Sequence, residues 1–125
     1  MQVGLRKKNK AVKDIETYEE CQFLIERFYE KLMCDADIGH YFRELDLSKH
    51  IPRVADFWAF ILIDQTGYTG NMMEAHARLP LKLADFDRWL ALFHETVREL
   101  FTGEKANLAV ERSTLIAWTM KSKLS

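Results

Sequence analysis

The stretch that decides the fold is TYEECQFLIERFYEKLMC, residues 17–34. Its apolar residues recur at intervals of three and four positions, which is the spacing of one face of an α-helix. Thr17, followed three positions later by Glu20, is the signature of a capping box at a helix start. The pattern therefore predicts a helix over about 18–33 with one buried face, formed by Cys21, Leu24, Ile25, Phe28, Tyr29 and Leu32.

Three further segments show the same helical periodicity. SKHIPRVADFWAFILID, residues 48–64, carries an apolar stripe centred on Trp58, and either Asp46 or Ser48 can cap its start. Because proline fits a helix near its first turn, Pro52 predicts that this helix begins within a few residues of His50 or is irregular there. A third helix is expected through residues 86–100, with Gly103 as its C-terminal cap, and a fourth over about 105–121.

The segments between these helices are short. DADIGH, residues 35–40, favours a break followed by a single helical turn that carries Tyr41 and Phe42. QTGYTGN, residues 65–71, predicts a loop, and MMEAHARLP, residues 72–80, predicts a short helix that Pro80 stops. No stretch alternates apolar and polar residues between turn signals, so the fold class is all-α.

Length and charge limit the functions that the chain can have. Its 125 residues, 48% of them hydrophobic, are enough for one domain with an aromatic-rich core. Eighteen Lys and Arg face nineteen Asp and Glu, giving a formal charge of −1. Since binding to nucleic acid requires a basic surface, DNA and RNA are not expected as partners.

The sequence also bears on location and domain organisation. Cys21 and Cys34 are too far apart along one helix to form a disulfide, which is typical of a reducing compartment, and we expect a cytoplasmic protein. No apolar run approaches the roughly twenty residues that span a bilayer, so no membrane association is expected. We expect a basic N-terminal arm over residues 1–14 and a single domain over residues 15–125.

Common catalytic motifs are absent or incomplete. GYTGN lacks the lysine of a phosphate-binding loop. HETVR, residues 94–98, resembles the start of a zinc-protease helix, but Arg98 replaces its second histidine. No histidine follows a glutamate at the spacing that di-iron bundles use.

The polar groups that remain lie on apolar helical faces. Tyr29 and Trp89 belong to buried stripes, and His76 stands on the predicted short helix. A haem would use this set, because it needs an apolar slot, one imidazole ligand and hydrogen-bond donors on the opposite side. The absence of a Cys-x-x-Cys-His motif means that such a haem would be non-covalent and of the b type.

Four successive segments resemble motifs of the truncated haemoglobins, and specifically of the third group of that family. They are FYEKLMCDADIGHYF (28–42), HIPRVADFW (50–58), GYTGNMMEAHARLP (67–80) and FDRWLALF (86–93). The resemblance extends over about residues 15–121 with familiar intervals between the motifs. It implies a truncated globin in which two antiparallel helix pairs form a two-over-two sandwich around haem.

The resemblance also implies roles for individual residues. His76 would be the proximal ligand of the haem iron through its Nε2. Tyr29 would be the distal tyrosine, and Trp89 would add an indole N–H to the same pocket. His50 would occupy the distal gate position, although Pro52 departs from the family pattern and bears on the direction in which that imidazole points.

Other residues would complete the pocket. Phe28, Phe42 and Val54 would line its distal apolar wall. Arg53, and secondly Arg78, would pair with a haem propionate.

The expected function is reversible binding of dioxygen, and of carbon monoxide or nitric oxide, with distal hydrogen bonds slowing release. Two alternatives stay open at this point. One is enzymatic detoxification of nitric oxide or peroxide with an external reductase, and the other is a cofactor-free helical interaction module.

Overall fold

The computed structural model describes residues 13–68 and 81–124. These residues form four α-helices, α1 (Tyr18–Cys34), α2 (Leu47–Ile63), α3 (Leu83–Leu100) and α4 (Glu104–Leu124), and a 3₁₀ turn at Gly39–Tyr41. This described part contains no strand, which confirms the all-α prediction. The predicted loop beyond Tyr68 and the predicted short helix lie outside the described residues.

The helices form two antiparallel pairs. In the first pair, Tyr29 of α1 meets His50 near the start of α2, and Tyr18 meets Asp56 further along it. In the second pair, α4 runs back along α3, with Arg98 bonded to Asn107 near the turn and Asp87 bonded to Lys121 at the far end. Because α1 packs on α3 and α2 on α4, the two pairs form a two-over-two sandwich.

The predicted face of α1 is buried as expected. All six of its stripe residues are almost inaccessible to solvent, and they join Trp58 of α2 and Phe93 of α3 in one core cluster. The capping box is also present, since Thr17 Oγ1 accepts from Glu20 N at 3.2 Å and Glu20 Oε1 accepts from Thr17 N at 3.1 Å. Both cysteines are free thiols, and burial raises the pKa of Cys21 to about 11.

Helix α2 begins at Leu47, within a few residues of His50, and continues through Pro52. Asp46 caps it by accepting from Ser48 N at 3.2 Å. Since proline has no N–H, the carbonyl of Ser48 loses its intrahelical partner, but Ser48 is exposed to solvent and water can replace that bond.

The prediction that Gly103 caps α3 is wrong. Helix α3 ends at Leu100, and its C-cap residue is Phe101, whose backbone is extended with φ −140° and ψ 157°. Gly103 instead lies at the start of α4, where its φ of +133° suits glycine and a Cβ would stand 2.6 Å from Cγ of Asp14. Asp14 in turn caps α4, accepting from Lys105 N at 2.7 Å and from Ala106 N at 2.8 Å.

Candidate functional site

The candidate site centres on a partly buried hydrogen bond between α1 and α2. The hydroxyl of Tyr29 lies 2.7 Å from Nε2 of His50, and the two rings stand nearly perpendicular with centroids 5.1 Å apart. Tyr29 is 2% exposed and His50 is half-buried. The fold therefore brings together the two residues that the family resemblance implies as the distal tyrosine and the gate histidine.

Burial determines the protonation of the tyrosine. Removal from water raises the pKa of Tyr29 far above its usual value, because the phenolate would be poorly solvated. The phenol therefore keeps its proton and remains a hydrogen-bond donor at physiological pH. It donates to His50 when Nδ1 carries the imidazole proton, and otherwise Nε2–H donates to the phenol oxygen.

Aromatic rings surround this pair. Phe28 meets the rings of Tyr29 and Trp89 edge-on, with centroids 5.5 and 5.8 Å apart, and Phe42 meets Tyr29 edge-on at 6.2 Å. Trp89, 4% exposed, stacks parallel to Phe93 at 6.0 Å. Such edge and stacked contacts hold rings in fixed orientations, so Tyr29 and Trp89 are set in one rigid apolar wall.

The remaining predicted residues take different positions. Val54 is half-buried one turn after His50 on α2, whereas Arg53 is exposed. His76 and Arg78 lie outside the described residues. Within residues 13–68 and 81–124, no group of three His, Cys, Asp or Glu side chains could hold a metal ion.

A cavity of about 460 Å³ opens between α1 and the start of α2. Tyr29 forms part of its lining, together with apolar side chains of Met33, Leu47 and Ile51 and two glutamates of α1. A small ligand in this cavity would contact one side of Tyr29.

This fold is shared with a protein of known family. No protein-family model matches the chain. The group 3 truncated haemoglobin ctb of Campylobacter jejuni is 31% identical over 101 residues, which cover 75% of this chain and 80% of that protein. This chain is a truncated haemoglobin.

Two further similarities support the assignment. A group 1 truncated haemoglobin of Tetrahymena thermophila is 30% identical over 98 residues, covering 78% of this chain and 79% of that protein. The crystal structure of the group III truncated haemoglobin of Campylobacter jejuni matches the fold with a TM-score of 0.81 and 29% identity. It covers 91% of this chain and 96% of that one, so the predicted third group and the two-over-two globin fold are confirmed.

Membership of this family implies a haem cofactor, and the described residues of this truncated haemoglobin fit one. A haem pocket needs an apolar wall that carries a few hydrogen-bond donors. Phe28, Phe42 and Trp89 supply buried aromatic surface, and the Tyr29–His50 pair places polar atoms within it. Because the chain belongs to a haem-binding family, this interpretation replaces the alternative of a cofactor-free helical interaction module.

The sequence prediction missed four residues that border the site of this truncated haemoglobin. Arg88 is bonded to Asp35, and Tyr41 donates to Asp85 at 2.9 Å. DADIGH does hold a local signal for Asp35, because an aspartate often accepts from backbone amides two and three positions later. Arg88, the partner of Asp35 on α3, has no such local signal in the sequence.

No helix within the described residues is both long enough and apolar enough to cross a membrane.

Proposed function

We propose that this truncated haemoglobin reversibly binds dioxygen and other diatomic ligands, with His76 as the proximal iron ligand and Tyr29, His50 and Trp89 as the distal polar residues. The observation that carries the proposal is the 2.7 Å hydrogen bond between Tyr29 and His50 inside an aromatic wall. Polar groups in an apolar wall destabilise the fold unless they are hydrogen-bonded, and here the phenol and the imidazole satisfy each other while remaining next to apolar surface.

The cofactor would be haem b, held without a covalent bond because the chain has no Cys-x-x-Cys-His motif. When bound, it supplies a ferrous iron that takes up diatomic gases. His76 would hold that iron through Nε2, while its Nδ1–H needs an acceptor to fix the tautomer. Arg53, exposed on α2, and Arg78 would pair with the propionates.

Distal donors would determine how long the ligand stays. A hydrogen-bond donor beside the ligand would stabilise the partial negative charge that dioxygen takes from a ferrous haem. Each well-aligned donor contributes about 1.4 kcal/mol, or roughly tenfold in the dissociation rate. Tyr29 suits this role because burial raises the pKa of its phenol and keeps the proton in place.

The approach of the ligand also involves Tyr29. Tyr29 lines the cavity of about 460 Å³ between α1 and α2, together with the apolar side chains of Met33, Leu47 and Ile51 and two glutamates of α1. Small molecules bind preferentially in concave spaces with a partly apolar lining. We take this cavity as a route of access to the distal side.

Absorption spectroscopy tests the proposal most simply. Protein produced with sufficient porphyrin should carry haem, and its ferrous form should take up dioxygen and release it when the gas is removed. Rapid mixing with carbon monoxide should then give a slow dissociation rate for dioxygen. A colourless protein that hemin does not reconstitute would refute the proposal.

A second candidate is detoxification of nitric oxide or peroxide with an external reductase. The Tyr29–His50 hydrogen bond favours it, because a phenol and an imidazole in contact can supply and relay a proton to a polarised O–O bond. Mixing the oxygenated protein with nitric oxide, followed by repeated turnover with a reductant, separates the two functions. Simple binding predicts no sustained turnover.

A further inference from the structure

A network of four polar residues joins α1 and the 3₁₀ turn to the beginning of α3. We call these residues, Asp35, Tyr41, Asp85 and Arg88, the α1–α3 clamp. Nε and Nη2 of Arg88 lie 2.8 and 2.6 Å from Oδ1 of Asp35, and the hydroxyl of Tyr41 donates to Oδ2 of Asp85 at 2.9 Å. Two separate bonds therefore tie the first two turns of α3 to the segment that follows α1.

Asp35 is a fixed anchor on the α1 side. It is the C-cap residue of α1, and its side chain is only 4% exposed. Its Oδ2 accepts from Asp37 N at 3.0 Å and from Ile38 N at 3.1 Å, which leaves Oδ1 for Arg88. The carboxylate therefore has little freedom to follow a movement of α3.

Asp85 is the corresponding fixed carboxylate on α3. Its Oδ2 accepts both the Tyr41 hydroxyl and, at 2.8 Å, the backbone N–H of Lys82. The first turn of α3 is thus fixed to the 3₁₀ turn, and the next residue after that turn is Phe42, which packs on Tyr29.

The clamp lies beside the distal residues. Arg88 immediately precedes Trp89, and Asp85 lies four positions before it, about one helical turn away. Since each residue of an α-helix turns the side chain by about 100°, half-buried Asp85 lies on nearly the same face as Trp89, and exposed Arg88 lies beside that face. Holding positions 85 and 88 therefore fixes the direction in which Trp89 faces inward. Phe28, which meets Trp89 edge-on, is the neighbour of Tyr29 on α1.

We propose that the α1–α3 clamp is a positioning device for the distal pocket, which sets the rotation of α3 against α1 and thereby the placement of Trp89 relative to Tyr29. This inference rests on the proposed function, in which both side chains face the ligand. Asp35, Tyr41, Asp85 and Arg88 act through Trp89 and need not touch the ligand themselves.

The test compares Arg88→Met with a control from the adjacent position. Asp87→Asn also removes an ion pair of α3, but Asp87 is paired with Lys121 of α4 at 2.7 Å and so lies outside the clamp. For each variant, three quantities are measured. They are the melting temperature, the indole N–H resonance of Trp89 in the haem-free protein, and the dioxygen dissociation rate of the haem protein.

We expect Arg88→Met to shift the Trp89 resonance while that of Trp118, which is 65% exposed, stays in place. We also expect the dissociation rate to change by about threefold or more, a size typical of coupled neighbours. Asp87→Asn should leave both unchanged. Arg88→Lys, which retains the charge but only one donor position, should give an intermediate result and serves as the test if Arg88→Met does not fold.

The proposal is overturned if the Arg88 variants lower the melting temperature yet leave the Trp89 resonance and the dissociation rate as in the original protein. In that case the clamp only stabilises the fold. If the original protein binds no haem, the proposed function fails, whereas the Trp89 resonance of the haem-free variants still decides whether the clamp positions that side chain.

Discussion

The hydroxyl of Tyr29 and Nε2 of His50 are 2.7 Å apart, although the two residues lie on different helices and 21 positions apart in the sequence. This hydrogen bond joins the residue proposed to donate to the ligand with the residue proposed to gate the pocket. When the phenol donates to Nε2 of His50, a ligand that accepts a hydrogen bond from the phenol competes with that imidazole. The two side chains should therefore act as one unit.

The first prediction concerns this coupling. Tyr29→Phe removes the phenol donor, so dioxygen release should become about tenfold faster. If His50 acts through the phenol, adding His50→Leu to Tyr29→Phe should cause little further change, although His50→Leu alone alters the rate. Stopped-flow dissociation kinetics on the four proteins of this cycle measure the effect.

Tyr18→Phe is the matched control for that cycle. It removes a hydroxyl from the same helix, where Tyr18 is hydrogen-bonded to Asp56 of α2. The dissociation rate should not respond to it. Multiplicative effects of Tyr29→Phe and His50→Leu would show that the two residues act independently.

The second prediction concerns Gly103. Gly103→Ala should destabilise the fold by about 1 to 3 kcal/mol or more, because φ is +133° and the new Cβ would meet the Asp14 carboxylate. Urea unfolding gives the change in the free energy of unfolding. Gly67→Ala is the control, since φ is +105° there but no atom lies within 4 Å of an added Cβ.

Removing Asp14 distinguishes the two causes. In an Asp14→Gly background, which loses the cap of α4 and removes both the carboxylate and the Cβ that would stand 2.9 Å from the new Cβ, Gly103→Ala should cost less than in the original protein and approach the cost of Gly67→Ala. Equal costs in both backgrounds would mean that contact with Asp14 does not contribute.

The third prediction is a pH dependence. The hydrogen bond from Arg88, aided by two backbone amides, holds the pKa of Asp35 below its usual value of 3.8. When folding lowers the pKa of a carboxyl group, that group stabilises the fold at pH values above its pKa in the unfolded state. The stabilisation is lost as the pH falls through the pKa in the folded state. The stability difference between the original protein and Asp35→Asn should therefore be full near neutral pH and shrink below about pH 4. Thermal melts across that range measure it, and a difference that does not vary with pH would contradict the assignment.

Local signals in the sequence were sufficient to predict much of the fold. The spacing of Leu24, Phe28 and Tyr29 fixed the buried face of α1, because side chains three and four positions apart share a helix face. Thr17 and Glu20 marked its start through a bond between near neighbours. The distal pair was predicted from family motifs, since no short-range rule relates Tyr29 to His50.

Contacts between distant positions could not be predicted in this way. The pairing of Asp35 with Arg88 depends on how α1 and α3 pack, and the two residues lie 53 positions apart. Gly103 was assigned to the end of α3 because glycine is common there, whereas its conformation actually serves the close approach of Asp14. In both cases the missing information was the tertiary arrangement rather than a local propensity.

Haem binding by this protein is proposed to depend on His76 as the iron ligand, and replacing that side chain shows whether it does. His76→Gly should lose haem or change the absorption spectrum of the ferrous protein, and added imidazole should restore the original spectrum by taking the vacant position. His94→Gly, which removes a half-buried histidine of α3 hydrogen-bonded to Thr114, should keep both haem and spectrum. A His76→Gly protein that binds haem with an unchanged spectrum in the absence of imidazole would show that His76 is not the iron ligand.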